Sequence, residues 1–100
     1  MYHSRRESIM PTFVIERIVA GIGAASAADL QALSRTSCDV LSSMGPDLQW
    51  IQSHVTGDKV YCIYNATSEQ QVREHARLSG LPVDSVSRVV ATIDPSTAQA

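Results

Sequence analysis

The stretch LQWIQSHVTGDKVYCIYNA, residues 48–66, decides how the rest of the chain is read. Two runs rich in aliphatic, aromatic and β-branched residues flank Gly57-Asp58, a dipeptide suited to a two-residue turn, so they pair as an antiparallel hairpin. With that loop Thr56 lies opposite Lys59, Val55 opposite Val60, His54 opposite Tyr61 and Ser53 opposite Cys62. Side chains alternate along a strand. His54 therefore shares a face with Trp50, Gln52, Tyr61 and Ile63, whereas Cys62 shares the other with Ile51, Val55 and Val60. Only a bulge or a three-residue loop changes that parity. The more apolar set, with Cys62, belongs beneath helices, and the mixed set, with His54, on the opposite face.

On the N-terminal side of the hairpin, AADLQALSRTSCDVLSSM reads as a helix. Ser26 is its cap, Asp29 lies near the positive end of its dipole, and Gly45-Pro46 stop it. Leu30, Leu33, Val40, Leu41 and Met44 form the stripe of a helix lying on a sheet. Before it, residues 12–19 read as a strand ending at AGIGAA. On the C-terminal side, Thr67 or Ser68 caps a second helix that ends at Gly80, and residues 86–93 read as a fourth strand. The order β-α-β-β-α-β closes into a four-stranded antiparallel sheet with both helices on one face, the α+β ferredoxin-like fold. Residues 1–9, polar and mixed in charge, read as an N-terminal extension, 10–95 as the domain and 96–100 as a flexible tail.

Two helices cover only one face of such a sheet, yet apolar residues alternate onto both. A second copy packing face to face is the simplest cover, so a homodimer of the dimeric α/β-barrel type is expected. The bulk composition narrows the partners. One hundred residues support one modest core, and 44% hydrophobic and 18% charged residues with a formal charge of −2 leave no basic surface for nucleic acid. No apolar run suits a membrane span or a secretory signal, so a cytoplasmic location is expected. The two cysteines, Cys38 and Cys62, are far apart in sequence and read as reduced packing residues rather than a disulfide or a zinc site.

No serine-histidine-acid spacing, phosphate-cradling glycine loop or helical metal-binding histidine pair occurs, and no catalytic residue is assigned. The uncovered sheet face does collect chemistry. If Glu16 points with Val14 and Ile18, it joins His54, with Trp50, Gln52 and Tyr61 as residues lining a cleft for a small molecule. A carboxylate and a neutral imidazole suit nickel, zinc or a similar divalent ion, and a two-fold axis doubles the donors. The plainer reading makes His54 a half-exposed strand residue and pairs Glu16 with an arginine. His75 falls on the inner stripe of the second helix, where a histidine usually completes a hydrogen bond of the core. Glu69-Arg73 and Glu74-Arg77 read as a solvated helix face.

Taken in order, MPTFVIER, SCDVL, IQSHVTGDKVYCIYNA, VREHAR and IDPST resemble a family of small bacterial ferredoxin-like proteins catalogued as a domain of unknown function, some members of which are labelled nickel-binding. The resemblance spans Met10 to about Thr97. It implies a dimeric protein binding a divalent metal, with Glu16, Cys38, Tyr61, Cys62 and His75 at positions of the family's pattern; His54 is a feature of this sequence. The reading carried forward is a dimer without a catalytic motif that binds nickel or zinc through Glu16 and His54, with His75 contributing, and that needs no organic cofactor. The alternative is a cofactor-independent monooxygenase-like or small-molecule-binding dimer in which Trp50, His54 and Tyr61 line an apolar cleft and His54 acts as general base.

Overall fold

The computed structural model describes residues 10–99; the expected extension, 1–9, lies outside them. Strand β1 (Thr12–Ile18) leads through a one-turn 3-10 helix (Ile22–Ala24) to helix α1 (Ala27–Met44). Strands β2 (Leu48–Val55) and β3 (Lys59–Ala66) follow, then helix α2 (Glu69–Ser79), strand β4 (Ser85–Arg88) and a 3-10 helix at Pro95–Gln99. The sheet order is β2-β3-β1-β4 with every neighbouring pair antiparallel. This is the ferredoxin-like arrangement expected from the element order.

Local chemistry sets the helix ends. Ser26 and Asp29 form a reciprocal capping box at the start of α1, each side chain accepting from the other's backbone N–H. Ser68 caps α2 by accepting from the N–H of Gln71, and Gly80, with φ of 72°, ends it in the left-handed conformation that glycine adopts without steric cost. The core lies between helices and sheet, built from Phe13, Ile15, Leu48, Cys62, Tyr64, Ala66 and Val72, with Leu41 and Met44 of α1 packed against it. The AGIGAA loop folds back onto the hairpin. The N–H of Gly23 donates to Gly57 O at 2.9 Å, and a Cβ at Gly23 would lie 2.8 Å from Thr56 O.

Three local features depart from the sequence reading. The hairpin turn keeps the expected pairing from Val55–Val60 to Ser53–Cys62, but a bulge at Ile51 makes Trp50 oppose Tyr64 while Gln52 opposes Ile63. Parity inverts across it. Trp50 thus joins the helix side instead of the open face, its indole N–H donating to Ser53 Oγ at 2.9 Å, while Ile51 turns outward and is half exposed. The second feature is β4, which is four residues long rather than eight. It pairs with β1 from Phe13 to Glu16 and then runs past the start of β1, so Val90 and Ile93 find no strand to pair with among the described residues and stay exposed. The third is α1, whose only buried residue is Ser37. Leu33 is half exposed and Cys38 exposed, because the inward line runs Leu30, Ser34, Ser37, Leu41 and Met44.

Candidate functional sites on the two faces of the sheet

On the open face the register places His54 of β2 opposite Tyr61 of β3, and Tyr61 opposite Glu16 of β1. The three form one row across the sheet. His54 and Glu16 stand on either side of Tyr61, two strand spacings or about 10 Å apart at the backbone. His54 is exposed, and Glu16 and Tyr61 are half-buried. Glu16 Oε2 lies 2.7 Å from Lys59 Nζ, so its partner is a lysine rather than the arginine of the plainer reading; that carboxylate, as hydrogen-bond partner and charge, raises the Lys59 pKa. Gln52, Ile63 and Val14 continue the same face one row away.

Other expected members of the site lie elsewhere. Trp50 is carried to the helix side by the bulge, which separates it from Gln52, His54 and Tyr61. His75 is fully buried on α2, also on the helix side, so it does not converge with Glu16 and His54. Among the described residues no group of three or more His, Cys, Asp or Glu side chains is arranged to hold a metal ion. The described residues of one chain supply an imidazole and a carboxylate in a row, not a closed ligand set.

The helix side holds a second polar constellation. Arg17, 2% exposed, sends Nη1 to Pro82 O at 2.8 Å, Nε to Cys62 Sγ at 3.5 Å and Nη2 to Tyr64 OH at 3.4 Å. The Tyr64 hydroxyl reaches His75 Nδ1 at 3.5 Å, and His75 Nε2 lies 3.1 Å from Ser37 Oγ and 3.4 Å from Ser37 O. The Tyr64 and His75 rings are 5.3 Å apart at their centroids. Burial raises the Tyr64 pKa, with the Arg17 charge opposing it. Burial also lowers the His75 pKa; the Ser37 carbonyl opposes that shift and the Arg17 charge reinforces it. At neutral pH both rings are neutral, the phenol donating to Nδ1 and the imidazole Nε2–H facing Ser37. Cys62 is buried on this side, as its parity requires.

Sequence reasoning missed Arg17, Ser37 and Tyr64. The signal was available: Arg17 follows Phe13 and Ile15 at the period of two that marks the inward face of β1, and Tyr64 follows Val60 and Cys62 in the same way on β3. Ser37 lies three residues after Ser34 and four before Leu41 on the inward line of α1.

The topology defines a ferredoxin-like α+β domain with one sheet face under two helices and the other left uncovered by the described residues. A profile of the family described as "Nickel responsive protein SCO4226-like" matches residues 13–89, and the chain belongs to that family. The crystal structure of SCO4226 from Streptomyces coelicolor A3(2) is similar, with a TM-score of 0.69 at 14% sequence identity, covering 82% of this chain and 99% of that one. At that identity the likeness concerns the fold. Among curated proteins nothing matches the chain. Among the described residues no helix is long and apolar enough to cross a membrane.

Proposed function

We propose that this protein binds a divalent ion of the nickel class as a homodimer, at a site completed when the open sheet faces of two copies meet. Each copy brings His54 and Glu16, with Tyr61 between them. The observation that carries this reading is the His54–Tyr61–Glu16 row on the sheet face that no described helix covers; the family's description as nickel responsive supplies the metal. Two copies related by a two-fold axis offer two imidazoles and two carboxylates, a mixed nitrogen and oxygen set suited to nickel or zinc. Val14, Ile63 and the half-exposed Ile18 give the same face aliphatic surface for association. Trp50 has no part in this interface, and His75 serves the core.

Calorimetric titration of untagged protein with nickel, run alongside sedimentation, tests the reading. Saturable binding by a dimer is expected, weakened at least tenfold in His54→Ala and lost together with the dimer in Ile63→Asp, which puts an unpaired charge in the interface. Because coordination needs a deprotonated imidazole, affinity should fall on acidification. A His54→Ala protein that binds nickel as the parent does, or a monomer that retains full affinity, contradicts the proposal.

A further inference from the structure

The helix side of the sheet holds a cavity that the metal reading does not use. It encloses about 320 Å³ between α1, the sheet and the Leu81-Pro82 segment, near the lower end of the roughly 300–1,000 Å³ typical of small-molecule sites. Its walls are largely apolar, with Ile22, Leu30, Leu33, Trp50, Val55 and Leu81 among them. Leu33 and Val55 are half exposed and mark its mouth; Arg17, Cys62 and Tyr64 are buried and mark its floor.

The floor carries a buried cation with no carboxylate partner among the described residues. Arg17 forms no ion pair among the described residues, where the three recorded pairs involve Lys59, Arg73 and Arg77. Its guanidinium has five N–H donors, and the bonds to Pro82 O, Cys62 Sγ and Tyr64 OH use three of them, the one to Tyr64 at the long end of the range for an oxygen acceptor and the one to Cys62 to a weakly accepting sulfur. A buried cation without a counter-ion is an unfavourable arrangement that an entering anion relieves. Ser34 Oγ donates to Leu30 O, and Ser53 Oγ accepts from Trp50.

We propose that this cavity binds an apolar monocarboxylate, its carboxylate on Arg17 and its hydrocarbon body between α1 and Trp50. One cation matches one negative charge, and a planar guanidinium fits a carboxylate with two parallel hydrogen bonds. The aliphatic walls match an alkyl or aryl body and disfavour a polyhydroxylated acid. The site lies across the sheet from His54 and Glu16 and is independent of metal binding, so its test is run with chelator present.

Octanoate and 1-octanol, which share an alkyl chain and differ in the charged head, are titrated separately while the fluorescence of Trp50, the chain's one tryptophan, is followed. Octanoate should bind at least tenfold more tightly than octanol. Arg17→Met, which replaces the unpaired charge by an apolar side chain, should abolish that preference while still admitting octanol. Equal affinities in the parent protein, no saturable octanoate binding up to millimolar concentration, or an undiminished preference in Arg17→Met overturns the proposal. Cys62 provides a second readout that does not depend on the arginine variant folding. In Cys38→Ser protein, octanoate should slow modification of Cys62 by a thiol reagent at least fivefold at a concentration where the more weakly bound octanol has little effect; an unchanged rate with octanoate also overturns it.

Discussion

Each side of this sheet carries a histidine beside a tyrosine, and the two pairs behave differently because of what covers them. His54 and Tyr61 oppose each other on the open face, where His54 is exposed to solvent and to any partner. Tyr64 and His75 meet beneath α1, fully enclosed, with Arg17 on one side and Ser37 on the other. Residue type alone does not separate a candidate ligand from a structural group. Cover does: the buried imidazole is held neutral by desolvation and occupied by hydrogen bonds, whereas the exposed one keeps its nitrogens available for coordination.

The largest expected contrast between the faces comes from adjacent residues of β1. Ile15 is fully buried on the helix side, so Ile15→Ala should cost about 2–5 kcal/mol in urea unfolding. Val14, its neighbour on the open face, is half-buried, and Val14→Ala should cost about 1 kcal/mol or less at protein concentrations where the chain is monomeric. Similar losses at the two positions would show that the faces are not differently covered.

A second contrast appears with pH. The His75 pKa is depressed in the fold below its ordinary 6.5, so the unfolded chain takes up a proton first as pH falls. The stability this neutral histidine contributes is therefore complete above about pH 6.5 and declines below it, by at most about 1.4 kcal/mol per pH unit. In His75→Gln that part of the slope should vanish, measured by urea unfolding between pH 7 and 5. A slope that instead vanishes in His54→Ala would transfer the buried role to the wrong face.

The smallest effect is expected at Lys59, whose ammonium occupies the Glu16 carboxylate. Lys59→Met should leave stability nearly unchanged, as for most exposed ion pairs, yet tighten nickel binding by freeing that carboxylate. Weaker nickel binding in the variant would remove Glu16 from the proposed site.

Much of this comparison was legible in the sequence. The hairpin turn at Gly57-Asp58 set the parity that put Cys62 inside and His54 outside, and the capping signals at Ser26 and Gly80 located the helix ends. What period-two reasoning could not see was the extra residue at Ile51. A bulge has no distinct composition here, and it moved Trp50 from the expected cleft into the cavity wall. The length of β4 was hidden for a related reason: Val89, Val90 and Ile93 have strand character, but a strand also needs a neighbour, and β1 begins at Thr12. Arg17 escaped because a charged residue at an inward position looks like an interruption of the pattern rather than a member of it.

Side-chain NMR during addition of nickel, whose paramagnetism broadens signals near it, distinguishes metal on the open face from metal at the buried histidine. The ring signals of His54 should broaden at the first substoichiometric additions, while those of His75 and the indole N–H of Trp50, across the sheet, persist. Early loss of the His75 or Trp50 signals with His54 unaffected would contradict the open-face site.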